Sequence, residues 1–78
     1  MEDKKQKLGR RIRELRESSG MTQQGFAFMV GMNRSYLGCV ERGKKNITFD
    51  GLDKIACGLD VPLDELFKGV SQDTDSQQ

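Results

Sequence analysis

Apolar residues recur at helical intervals along most of the chain, and no segment alternates with period two. Leu8, Ile12 and Leu15 follow four- and three-residue steps, which predicts an amphipathic helix over residues 4–19. Gly20 is placed to end it in a left-handed conformation. Thr22 can cap a second helix over 23–30, whose buried face carries Phe26, Ala27 and Val30. Gly31 and Met32 form a short break, Asn33 can cap a third helix over 34–42, and Gly43 stops it. Thr48 caps a fourth helix over 49–58 with Phe49, Leu52, Ile55, Ala56 and Leu59. Pro62 suits the first turn of a fifth, over 62–68, with Leu63, Leu66, Phe67 and Val70 on one side. The pattern predicts one all-α domain of five helices over residues 1–70 and a disordered tail, "SQDTDSQQ", over 71–78.

The second and third helices, separated by the break at Gly31, have the spacing of a helix-turn-helix, in which the second helix of the pair enters a DNA major groove. Helix–glycine–helix is by itself a weak signal, and its specificity comes from which side chains point outward. At 100° per residue, Leu37, Val40 and Glu41 share the side facing the core. Ser35, Cys39 and Arg42 fall opposite them, with Gly38 alongside. Arg34 and Ser35 also occupy the first turn, the part that reaches deepest in this docking mode. An arginine there can donate two hydrogen bonds to guanine, and small residues at 38 and 39 leave the helix slim enough to approach base edges. The outward face thus combines Arg34, the Ser35 hydroxyl, the small residues Gly38 and Cys39, and Arg42.

Charge sharpens this reading. The net charge is only +1, but the distribution is uneven. Residues 1–20 carry +3, residues 21–48 another +3, and residues 49–78 carry −5. Such asymmetry points to a polyanion partner for the first part of the chain. Gln23 opens the second helix, where backbone N–H groups favour anions. Arg42, Lys44, Lys45 and Asn46 follow the third helix, and each suits a phosphate better than a base. The alternative for that stretch is a solvated turn.

Other chemistry is poorly supplied. There is no histidine and there are two cysteines, too few for a zinc site, so no metal or cofactor is expected. Two cysteines make no disulfide framework and have no candidate base to activate them. No phosphate-binding glycine loop occurs, so an enzyme is not expected. The charged N-terminal stretch "MEDKKQKLGRRIREL" lacks the apolar run of a secretory signal, and no run suits a membrane span. A cytoplasmic location is expected, with no small-molecule ligand indicated.

The stretch from Leu8 to Phe67 resembles the Cro/repressor-type helix-turn-helix family, also called xenobiotic-response-element-like. The residues carrying the resemblance are Ile12-Arg13, Leu15-Arg16, Thr22-Gln23, Ala27, Gly31, "SYL", "VERGKKN" and the closing "LDELF". The family implies a lambda-repressor-like five-helix bundle that binds palindromic operators as a homodimer. It implies an ion pair between Arg16 and Glu41, which would explain a carboxylate turned toward the core. It also implies phosphate contacts from Gln23, Asn33 and the residues around Arg42 to Lys45, and a base-facing set of Arg34, Ser35 and Cys39, in which Cys39 suits apolar contact with a thymine methyl. Within the family, "GFAFMVGMNRSYLGCVERGKKN" is similar to the controller proteins of restriction–modification systems. Gly25 departs from the pattern, standing where an acidic residue would complete a capping box with Thr22. Ile47 replaces a frequent proline.

Gly9, Gly25, Gly38, Gly51 and Gly58 all fall inside the expected helices. At ~1 kcal/mol each relative to alanine, they weigh heavily against a small domain's ~5–15 kcal/mol. Association would offset the loss. Phe49, Leu63, Phe67 and Val70 are the candidate dimer surface, unless they close the monomer core; Phe28 is a second exposed candidate. Two function classes remain: a DNA-binding transcriptional regulator, and a protein-interaction or antitoxin-type module that keeps the fold without the DNA surface.

Overall fold

Every α-helix begins on a side chain that accepts hydrogen bonds from its otherwise unpaired first N–H groups. The computed structural model describes residues 2–70; the stretch 71–78, expected to be a disordered tail, lies outside them. Helix α1 spans Lys4–Ser18 and starts with a reciprocal capping box. Asp3 Oδ1 accepts from the Gln6 N–H at 2.9 Å, and Gln6 Oε1 accepts from the Asp3 N–H at 3.0 Å. Helix α2, Gln23–Val30, is capped by Thr22 Oγ1, which accepts from the Gly25 N–H at 3.0 Å. Helix α3, Arg34–Glu41, is capped by Asn33 Oδ1, which accepts from the N–H groups of Ser35 and Tyr36 at 2.8 and 3.2 Å. Helix α4, Phe49–Leu59, is capped by Thr48 Oγ1 on the Gly51 N–H at 3.0 Å.

The expected stops are in place. Gly20, Gly31 and Gly43 take positive φ values of 77°, 71° and 74°, while Asp60 plays that part after α4 with φ 60°. The helix boundaries differ from those expected by no more than one residue.

The fifth element departs from expectation. It is a five-residue 3-10 helix, Leu63–Phe67, and Pro62 precedes it in extended conformation instead of entering its first turn. The tighter winding brings residues three apart onto one side. Leu66 is accordingly fully buried with Leu63 half-buried, whereas Phe67 is turned out.

Ile12, Phe26, Leu37, Ile55 and Leu66 form the fully buried centre, one from each element. Burying each is worth roughly 1.5–3 kcal/mol, so the core depends on all five elements docking together. Helix α1 packs on α3, and α2 packs on both α3 and α4. The α1–α3 contact depends on Gly9. A Cβ there would collide with the backbone carbonyl oxygens of Val40 and Glu41, so this glycine permits two helix backbones to touch. Its cost in helix propensity accompanies a packing requirement that no larger residue meets.

Candidate nucleic-acid interface

Helices α2 and α3, joined across Gly31–Asn33, form a helix-turn-helix unit whose second helix has a buried and an exposed side. Leu37, Val40 and Glu41 are buried, as their spacing predicts. Arg34 and Ser35 are exposed in the first turn, and neither side chain has a hydrogen-bonding or ionic partner among the described residues. Arg42, Lys44, Lys45 and Asn46 are exposed immediately after α3. Arg34 thus stands at one end of the helix and a cationic loop at the other.

The buried carboxylate of Glu41 is the anchor of the unit. Arg16 Nε donates to Oε2 at 2.7 Å and Nη2 to Oε1 at 3.0 Å, a fork that uses both carboxylate oxygens. The third arm of the guanidinium, Nη1, donates to the Met21 carbonyl at 2.8 Å. One arginine therefore ties α1 both to the end of α3 and to the turn before α2. Its hydrogen bond to Glu41 raises the Arg16 pKa above the ordinary arginine value, against the opposing effect of burial, so the guanidinium stays charged.

Glu41 also holds Gln23. The amide Nε2 of Gln23 donates to Glu41 Oε1 at 3.0 Å, which fixes the first residue of α2 against the last residue of α3. Sequence reasoning gave Gln23 to phosphate alone. The amide nitrogen has a second hydrogen, so it can serve Glu41 and an anion together. Asn33 is similarly divided, since its oxygen caps α3 and only its amide N–H groups are left for a phosphate.

The pair Gly38–Cys39 is not the bare outer surface that the helical wheel suggests. Gly38 is buried, and a Cβ on it would lie 3.2 Å from Arg42 Nη1 and 3.3 Å from Gln23 Oε1. Arg42 folds back along α3 so that its Nη2 sits 3.6 Å from Cys39 Sγ, leaving Cys39 half-exposed. The small residues make room for two polar side chains of the unit itself. Wheel projections miss this because Gln23 comes from another helix and Arg42 doubles back on its own.

Tyr36, half-buried against the core, braces the cationic loop, a role that sequence reasoning passed over. Its hydroxyl donates to the Asn46 carbonyl at 3.5 Å, linking α3 to the cationic loop. The only signal was its place in "SYL", which reads equally as a core position. Among the expected dimer residues, Phe49 and Phe67 are exposed (68% and 40%), Leu63 is half-buried, and Val70 is 7% exposed. Val70 is therefore part of the monomer's own packing. Phe28, at 87%, is the most exposed large apolar side chain described. Among the described residues, no group of three or more His, Cys, Asp or Glu side chains could hold a metal. No helix among them is long and apolar enough to cross a membrane.

A buried arginine–glutamate fork locking a helix-turn-helix unit, with a cationic loop after its second helix, defines the class of domain. The model of the helix-turn-helix family HTH_3 matches residues 12–66, and the chain belongs to that family. Control protein C.MunI of Mycoplasma sp is 34% identical over 74 residues, covering 94% of this chain and all of that one. The crystal structure of the restriction–modification controller protein C.AhdI from Aeromonas hydrophila superposes with a TM-score of 0.78 at 45% identity. That match covers 80% of this chain and 94% of the other. The tetramer of controller protein C.Esp1396I, solved in complex with its natural 35 base-pair operator, gives 0.78 at 28% identity over 90% and 92% of the two chains.

Proposed function

We propose that the protein is a sequence-specific DNA-binding transcriptional regulator of the restriction–modification controller kind, acting as a homodimer on a palindromic operator. The observation that carries this is the exposed outer side of α3. Arg34 and Ser35 are unpartnered in its first turn, and Arg42, Lys44, Lys45 and Asn46 are exposed beyond its last. Arg34 supplies base readout through a guanidinium fork, with Ser35 beside it and Cys39 offering at most an apolar contact to a thymine methyl. Gln23, Asn33, Arg42, Lys44, Lys45 and Asn46 hold phosphates and set the register. The fork between Arg16 and Glu41 gives these two sets a fixed relative position. The relatives named as controller proteins, one of them solved on its operator, support the reading.

Phe49 and Phe67 supply the exposed apolar contacts of the homodimer, with Leu63 beside them. A two-fold dimer places its recognition helices on half-sites about 34–36 Å apart, or a multiple of that. A second reading, an interaction or antitoxin-type module, is favoured by one observation: Phe28 and Met29 are 87% and 53% exposed on α2.

Fluorescence anisotropy against a duplex, titrated with salt, separates the two. A regulator binds at low salt and loses affinity steeply as salt rises, because neutralised phosphates release counterions. Absence of DNA binding at low salt would favour the interaction module.

A further inference from the structure

Where the N-terminal half of α1 passes the end of α3, the surface folds into an open polar cleft of about 360 Å³. Arg10, Arg13, Arg42 and Lys44 line it together with two carboxylates, Glu2 and Glu41. Glu41 contributes little free negative charge there, because Arg16 occupies both of its oxygens. Arg10 pairs with Glu2 at 2.8 Å and Arg13 with Glu17 at 3.1 Å, yet the two arginines are 56% and 61% exposed. Exposed pairs of this kind contribute little to stability, so either guanidinium can leave its carboxylate for a more highly charged acceptor. The cleft also shares Arg42 and Lys44 with the loop assigned to phosphate, so it continues the proposed DNA surface without a gap.

We infer that this cleft is an additional DNA-phosphate site, in which Arg10 and Arg13 of α1 take backbone phosphates beside those held by Arg42 and Lys44. The inference rests on the DNA-binding reading and extends it from the helix-turn-helix unit to the first helix. Guanidinium is suited to the task, since its planar fork matches two phosphate oxygens. Neither arginine lies on α3, so their contribution is to affinity and not to sequence choice.

The test uses the full chain and measures binding to one duplex over a range of potassium chloride concentrations. Arg13→Gln should reduce the slope of log K against log salt by about 0.9, and Arg10→Gln with Arg13→Gln by about twice that. The reduction should be the same on operator and random duplexes. Lys54→Gln removes the same charge from α4 and should leave the slope unchanged. Circular dichroism checks that the variants keep their helices. A double variant with the wild-type slope would overturn the inference while leaving DNA binding intact. An equal reduction from Lys54→Gln would overturn it too, by tracing the effect to net charge. If the wild-type protein itself shows no salt-dependent binding, the inference and the function it rests on both fall.

Discussion

Arg16 and Glu41 meet edge to edge across 25 residues of chain, with both carboxylate oxygens engaged at 2.7 and 3.0 Å. The two side chains are 7% and 2% exposed, so the fork is shielded from solvent and from salt. Buried pairs of this kind are weak sources of net stability but costly to break, because the surviving charge is left without a partner. Removing one side of the fork should therefore cost ~3–5 kcal/mol. Arg16→Met and Glu41→Leu, measured singly by urea denaturation, should each lower the midpoint strongly. The double variant should lie closer to wild type than the two single effects added together. Additive losses in that cycle would show that the fork is not the coupling element.

Gly9 gives a prediction opposite in sign to helix propensity. Alanine at an ordinary internal helix position stabilises relative to glycine by ~1 kcal/mol. At position 9 the added carbon overlaps the carbonyl oxygens of Val40 and Glu41, which belong to backbone and cannot swing away. Gly9→Ala should destabilise by ~1–3 kcal/mol, the usual range for overpacking. A raised melting temperature would mean that α1 and α3 are not in backbone contact.

Gly38 behaves differently because its neighbours are the ends of flexible side chains. A methyl group there meets Arg42 and Gln23 at 3.2 and 3.3 Å, distances that small side-chain shifts relieve. Gly38→Ala should leave stability within about 0.5 kcal/mol of wild type, helix propensity offsetting the adjustment. Gly38→Leu should keep the fold but displace Gln23 from Glu41 and lift Arg42 off the helix. DNA affinity should then fall on all duplexes alike, since both displaced groups are assigned to phosphate. Unchanged affinity, read by anisotropy, would mean that neither side chain serves DNA in its present position.

Much of this was legible in the sequence because it is local. Thr22, Asn33 and Thr48 each cap the helix that follows them, a relation spanning two or three residues. Leu37, Val40 and Glu41 fall together by helical geometry alone, and the family resemblance supplied Arg16 as the partner of Glu41. What escaped depends on side chains that cross between elements or turn back. Gln23 reaching to Glu41 and Arg42 covering Gly38 are rotamer choices that no wheel encodes. Asp3 lies in a run of charges that hides its capping role, and Pro62 stands one residue ahead of the 3-10 element instead of inside its first turn. Val70 follows Gly69 at φ 82°, which turns it back into the monomer and off the expected dimer surface.

The proposed homodimer contact uses Phe49 and Phe67, which are 68% and 40% exposed. Phe49→Ser with Phe67→Ser should weaken association at least ~10-fold, as loss of aromatic anchors commonly does at interfaces. Sedimentation velocity over a concentration series reads this directly. A strictly monomeric wild-type species at about tens of micromolar, the range in which modest dimers with Kd values of 1 µM dissociate only slightly, would remove the dimer from the account.

In the proposed division of roles, the first turn of α3 reads bases while the residues around it hold the backbone. Selection of bound duplexes from a randomised pool, run in parallel on the wild type, Arg34→Ala and Lys45→Ala, separates the two roles. The wild type should enrich a palindrome. Arg34→Ala should enrich the same palindrome with one base position per half-site relaxed, at a cost of ~1–3 kcal/mol, and Lys45→Ala should keep every preference while binding all sequences more weakly. A wild-type protein that enriches no sequence, or an Arg34→Ala variant with every preference intact, would contradict the account.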